Sequence, residues 1–189
     1  MQKFQFLMFS TTANILTFFR ILLIPVLVVS FYIGTPAWRF TAAIVFIVGC
    51  ITDYLDGYVA RTYSQISRLG QFLDPMADKL LVSTTLLLLA GFERISRYSL
   101  IPAIIILSRE ILVSGLREHL SEIHVTLSVS RLAKWKTGVQ MLAICLLFVG
   151  DTADIVSLAR NVGEVMLWGA AVLTVVTGYK YIAASMRYF

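Results

Sequence analysis

The sequence predicts an all-α integral membrane bundle of six transmembrane helices, and three observations lead there. Of the 189 residues, 58% are hydrophobic and only 14% are charged, with a mean hydropathy of +0.82, well above what a water-soluble domain carries. Apolar stretches of about 20 residues, long enough at a helical rise of about 1.5 Å to cross the hydrocarbon core, recur to the end of the chain. No stretch has the short alternation of a barrel strand, and lipid leaves only helices or closed barrels as ways to satisfy the backbone.

The first span covers 14–33 and ends on Gly34, Thr35 and Pro36. It lacks a small-residue cleavage signature and is followed by further spans, so it reads as a retained helix rather than a signal peptide. Upstream, Phe4, Phe6, Leu7, Met8 and Phe9 stand beside Lys3. The segment 1–12 therefore reads either as a short interfacial helix or as a frayed end. The second span covers 38–61, and turn residues from Ser64 to Gly70 separate it from a third at 71–91. Pro75 is compatible with that third helix only in its first turn, which fits a start near residue 71. Spans at 97–118, 130–150 and 160–186 complete the six, with Gly150, Asp151 and Thr152 between the last two. One domain over 1–189 is expected. Cys50 and Cys145 both lie in apolar stretches and read as small packing residues rather than as a disulfide or a thiolate metal site.

Six spans put both termini on one side of the membrane. Arg39, Arg94, Arg97 and Arg160 fall in the opposite half, leaving twelve of the 16 Lys and Arg residues on the terminus side. The positive-inside rule then makes the termini and the loops near 62–70 and 118–130 cytoplasmic. The net charge of +5 is thus concentrated where anionic headgroups and phosphorylated substrates are met. These cations are distributed over helix ends instead of forming a soluble basic face, so no nucleic-acid partner is expected. His119 and His124 have no zinc-ligand spacing and read as solvated loop histidines.

Charged groups inside membrane helices cost several kcal/mol each, so they mark function by default. Four aspartates, Asp53, Asp56, Asp74 and Asp78, fall within 26 residues on the basic side. Asp53, Asp56, Gly57 and Ala60 share one face of the second helix at i, i+3, i+4, i+7, and Gly70, Asp74 and Asp78 share one face of the third. Four converging carboxylates repel one another in low dielectric, and hard oxygen ligands in this number match Mg²⁺ or Mn²⁺. The small residues on the same faces leave room for a substrate.

Residues 53–78 read D-Y-L-D-G-Y-V-A-R, eight residues, then G-Q-F-L-D-P-M-A-D. This resembles, in every fixed position, the D-x₂-D-G-x₂-A-R-x₈-G-x₃-D-x₃-D signature of the CDP-alcohol phosphatidyltransferases. The resemblance implies a six-helix core with the signature on its second and third helices, two divalent cations, a CDP-linked lipid donor and a homodimer. It implies Asp78 as the base that takes the proton of the acceptor hydroxyl. Asp53, Asp56 and Asp74 are then primary metal ligands, with Asp78 sharing an ion. Asn14, Thr17, Asp56, Gly57, Ala60, Arg61 and Gly70 would meet CDP-diacylglycerol.

Acceptor choice has to come from outside the shared signature. Asn14, Thr17 and Arg20 stand at i, i+3, i+6 on the first helix, Arg109, Glu110 and Arg117 on the fourth, and Lys134, Lys136 and Gln140 on the fifth. Arg109, Arg117, Lys134 and Lys136 outnumber what a metal pair needs and suit a phosphorylated acceptor, although Lys134 and Lys136 leave opposite sides of a regular helix. The alternative is that these cations snorkel to the interface. The patterns around them are similar to the bacterial branch of the family whose acceptor is sn-glycerol 3-phosphate, which implies a multi-pass protein of the bacterial cytoplasmic membrane with its active site facing the cytoplasm. Rival readings are a sister enzyme acting on inositol phosphate or phosphatidylglycerol and, from another class, a divalent-cation transporter. A transporter should carry polar features across the whole membrane, and here the outer halves of the spans are almost wholly apolar.

Overall fold

A computed structural model describes residues 12–63, 68–123, 125, 131–150 and 154–188. Six α-helices account for most of them: α1 (Thr12–Ile33), α2 (Pro36–Tyr63), α3 (Arg68–Gly91), α4 (Leu100–Glu122), α5 (Arg131–Val149) and α6 (Asp154–Ser185). Short 3₁₀ turns at Arg97–Ser99 and Met186–Tyr188 are the other regular elements, and no strand occurs among the described residues. The segment 1–11, where an interfacial helix is one expectation, lies outside them.

The chain divides into two compact units, Met1–Leu88 and Leu89–Phe189. In the first, α1 packs along α2, with Leu23, Leu27, Phe31, Ala42, Phe46, Ala77 and Leu81 buried. The link between α1 and α2 is two residues long. Gly34 takes a left-handed φ of +69° and its N–H reaches the carbonyl of Ser30 at 3.3 Å. That closes α1 with a conformation a side chain would oppose. Pro36 then opens α2 at the one helical position where a missing N–H costs nothing. In the second unit α6 packs against both α5 and α4 over a core that includes Ile106, Ala143, Ile144, Leu147, Leu167 and Ala170.

Large apolar side chains also cover the outside. Leu22, Leu87, Ile104 and Val165 are each more than 60% exposed, an arrangement that water would penalise and lipid does not. Five of the helices are long and apolar enough to cross a membrane. α3 is the exception because Asp74, Asp78 and Lys79 all fall within it.

Three boundaries differ from the expected ones. α3 begins at Arg68, so Pro75 is its eighth residue and lies inside the helix, not in the first turn. Membrane helices tolerate such a proline because neighbouring helices and polar side chains satisfy the freed carbonyl. α4 runs to Glu122, which puts His119 in a helical last turn, exposed and 3.8 Å from Glu122, and not in a loop. His124 lies outside the described residues. α6 begins at Asp154 instead of near 160; its first two turns mix Ile155, Val156, Leu158 and Ala159 with Asp154, Ser157 and Arg160, and continue the helix beyond the expected span.

At the far end of the second unit, Glu164 of α6 gathers the turn that precedes α4. Its carboxylate accepts from the Ser96 N–H at 2.9 Å, from the Ser96 hydroxyl at 2.5 Å and from the Ser99 hydroxyl at 2.6 Å. Arg160, one turn earlier, pairs with it at 3.4 Å and donates to the Glu93 carbonyl at 3.2 Å. Glu93 itself has a φ of +56°, so this tie holds a turn that a non-glycine residue resists. Glu164→Ala should therefore lower stability by about 2 kcal/mol, the scale of hydrogen bonds to a charged group. Thermal unfolding in detergent should report that loss, with turnover at permissive temperature unchanged.

Candidate active site

The carboxylates expected to converge come from the facing sides of α2 and α3, and α1 holds both. Arg20 of α1 is fully buried and its guanidinium lies 3.1 Å from the Asp53 carboxylate of α2. One turn earlier on the same face, the buried Thr17 hydroxyl donates to the Asp74 carboxylate of α3. Asp74 and Asp78 act electrostatically on Asp53, as do Arg20 and Lys79. Asp78 lies 3.6 Å from the Lys79 ammonium, and its side chain is 31% exposed. Asp53, Asp74 and Asp78 are therefore brought into one charged cluster, two of them anchored to α1 and the third paired with its neighbour Lys79. The backbone of Asn14, Asp56, Gly57, Ala60, Arg61 and Gly70 belongs to α1, α2 and α3, but their side chains lie outside the described residues.

Among the described residues no three His, Cys, Asp or Glu side chains stand close enough to chelate one ion by themselves. The donor set nonetheless suits a hard cation. Three carboxylates, Asp53, Asp74 and Asp78, face two cations, Arg20 and Lys79, which leaves the group net negative before Asp56 is counted. All donors are oxygen, as Mg²⁺ or Mn²⁺ requires.

In the second unit two of the other predicted cations, Arg109 and Lys136, meet an acid that the sequence singles out only as a neighbour of Arg109. Glu110 of α4 pairs with Lys136 of α5, and Lys136 is 3% exposed. On its other oxygen Glu110 faces Arg109 at 3.8 Å. Arg109 also donates to the Thr177 hydroxyl of α6 at 3.3 Å. Arg117 lies over the Tyr181 ring, 5.8 Å from its centroid, a cation–π distance, and acts electrostatically on Arg109. Lys134 is exposed, so Lys136 and Lys134 do take opposite sides of α5. The structure thus joins Arg109, Arg117 and Lys136 into one network and leaves Lys134 apart from it. Thr177 and Tyr181 are contributors that sequence reasoning missed, since a threonine and a tyrosine in an apolar helix carry no distinguishing spacing.

The chain is similar to known proteins over most of its length. A family model described as CDP-alcohol phosphatidyltransferase matches residues 10–176. The chain is 45% identical over 176 residues to the CDP-diacylglycerol–glycerol-3-phosphate 3-phosphatidyltransferase of Rickettsia bellii (strain RML369-C), covering 93% of this chain and 96% of that protein. Proteins of the same description from Cereibacter sphaeroides and Haemophilus influenzae are 35% and 38% identical. The first alignment covers 93% of this chain and 95% of the relative; the second covers 88% and 89%.

Proposed function

Because the chain belongs to the CDP-alcohol phosphatidyltransferase family, we propose that it transfers the phosphatidyl group of CDP-diacylglycerol to sn-glycerol 3-phosphate, forming phosphatidylglycerophosphate and CMP. The observation that carries this reading is the gathering of Asp53, Asp74 and Asp78 from two helices into one cluster braced by a third. The acceptor follows from relatives of the same description that align over nearly the whole chain.

In the reaction the primary hydroxyl of the acceptor attacks the phosphorus that carries diacylglycerol. A new P–O bond forms, the bond from that phosphorus to the CMP phosphate oxygen breaks, and CMP leaves. Asp78 takes the proton of the attacking hydroxyl. Its position suits that task, because it is partly exposed and pairs only at 3.6 Å with Lys79, while Asp53 and Asp74 are engaged by Arg20 and Thr17 of α1. Two Mg²⁺ or Mn²⁺ ions, held by Asp53, Asp56, Asp74 and Asp78, would neutralise the diphosphate and the departing CMP. Thr17 and Arg20 keep two of those carboxylates in place on separate helices. Asn14, Gly57, Ala60, Arg61 and Gly70 would complete the donor site. Arg109, Arg117 and Lys136 are suited to the phosphate dianion of the acceptor, with Lys134 at the interface. The excess of cations on one side supports a placement in a bacterial cytoplasmic membrane with the aspartates facing the cytoplasm; the homodimer is what the family resemblance implies.

Purified protein in detergent, given CDP-diacylglycerol and a panel of alcohols, should release CMP with glycerol 3-phosphate. Chelation should abolish that release, and Mg²⁺ or Mn²⁺ should restore it. Turnover with inositol phosphate or phosphatidylglycerol and none with glycerol 3-phosphate would assign another acceptor within the same family.

A further inference from the structure

The Arg109 side chain passes across α6 at Gly178, where the helix presents no side chain. A Cβ added to Gly178 would lie 2.9 Å from Arg109 Cγ, 3.2 Å from its Nε and 3.6 Å from its Cδ, and these are the three atoms nearest to it. The closest approach is near the root of the arginine side chain. A displacement there swings the whole guanidinium, so the crowding cannot be absorbed by a flexible tip. A methyl group would also press on the buried Arg109 Nε, which has no hydrogen-bond partner among the described residues.

The preceding residue supplies direction. The Thr177 hydroxyl donates to the Leu173 carbonyl at 2.7 Å, which turns its proton into the helix and leaves its lone pairs outward. One of them accepts from Arg109 Nη2 at 3.3 Å. On the other side of the fork, Nη1 faces Glu110 at 3.8 Å. The hydroxyl and the carboxylate fix the plane of the guanidinium, and the bare face of Gly178 fixes where that plane lies.

We propose that Gly178 and Thr177 are positioning residues for acceptor recognition, Gly178 by leaving the slot through which Arg109 passes and Thr177 by orienting its guanidinium toward the acceptor phosphate. The inference rests on the proposed glycerol 3-phosphate activity. The phosphate of the acceptor takes no part in bond making, so a misplaced Arg109 should weaken ground state and transition state alike and raise KM without lowering kcat.

The experiment measures CMP release by the full chain in detergent at varied glycerol 3-phosphate and, separately, at varied CDP-diacylglycerol. Gly178→Ala should raise KM for glycerol 3-phosphate about tenfold, the effect of a single impaired charged contact, with kcat and KM for CDP-diacylglycerol within about twofold of wild type. Gly169→Ala, on the same helix where an added Cβ meets nothing within 4 Å, should match wild type. In an Arg109→Ala background, adding Gly178→Ala should change kcat/KM for the acceptor by less than about twofold, because the clash partner is gone. An equal loss in both backgrounds, or a parallel rise in KM for both substrates, would overturn the proposal. If Gly178→Ala does not fold, the Thr177 pair decides: valine should raise the acceptor KM about threefold and serine should restore it, and indistinguishable valine and serine enzymes would refute the orienting role. Wild-type protein inactive with glycerol 3-phosphate would instead refute the acceptor assignment, a separate result.

Discussion

Asp78→Asn should reduce phosphatidyl transfer by about 10³-fold or more, within the range that a positioned general base contributes, in a protein that remains folded. Asparagine keeps the shape of the side chain and removes its ability to take a proton. The structural cost should be small, because the described contact of Asp78 is a partly exposed pair with Lys79 at 3.6 Å, and such pairs contribute about 0–1 kcal/mol. Two measurements on one preparation separate the roles: CMP release for chemistry and thermal unfolding for integrity. An unfolding midpoint near wild type with turnover lost is the expected pair of results. Retention of more than about a tenth of wild-type turnover would take the proton-accepting role away from Asp78.

Arg20→Met should affect both measurements. Methionine fills much of the volume and removes the charge, leaving Asp53 to face Asp74 and Asp78 with only Lys79 as an opposing charge among the groups that act on it. Removing one member of a fully buried pair costs about 3–5 kcal/mol. Here Arg20 is buried but the Asp53 side chain is 46% exposed, so water recovers part of that, and about 2 kcal/mol is expected. Activity should fall about 100-fold, as for displacement of a group that must be held to within about 1 Å. Arg20→Lys keeps the charge and loses the planar fork, so it should recover most of the stability and less of the activity. Wild-type activity in Arg20→Met would show that the aspartates hold their places without α1.

The sequence makes much of this legible, for identifiable reasons. Helices in lipid have to be apolar over a fixed length, so hydropathy makes five of the six helices legible as spans, and the turn residues on either side of 71–91 mark the sixth. The faces of α2 and α3 follow from helical spacing, which is why Asp53, Asp74 and Asp78 are expected together; in the structure Asp74 and Asp78 are near enough to Asp53 to bear on it electrostatically. Hydropathy is silent where a helix leaves the bilayer, and the polar start of α3 and the polar end of α4 accordingly extend beyond the expected spans. Pro75 lies inside α3 and not in its first turn, because in a membrane bundle neighbouring helices and polar side chains can satisfy the carbonyl that a proline frees. Spacing also marks Thr17 and Arg20 as sharing a face without saying what that face meets. Their separate partners, one on α3 and one on α2, depend on tertiary approach, as does the passage of Arg109 across Gly178, and no periodicity in one helix encodes a contact with another.

The failure of α3 to qualify as an apolar span has a consequence for biogenesis. A helix carrying Asp74, Asp78 and Lys79 pays about 2.5–3.5 kcal/mol for each charge near the bilayer centre and less toward the ends, so partitioning it alone from the translocon is unfavourable. The hydroxyl of Thr17 and the guanidinium of Arg20 are already in the membrane when α3 emerges from the ribosome, because α1 is made first. Loading the third segment is then a co-operative step in which the earlier helices act as its solvent. The groups that brace the finished site are the same ones that lower the barrier to building it, so substitutions at Thr17 or Arg20 should reduce the yield of inserted protein as well as its turnover.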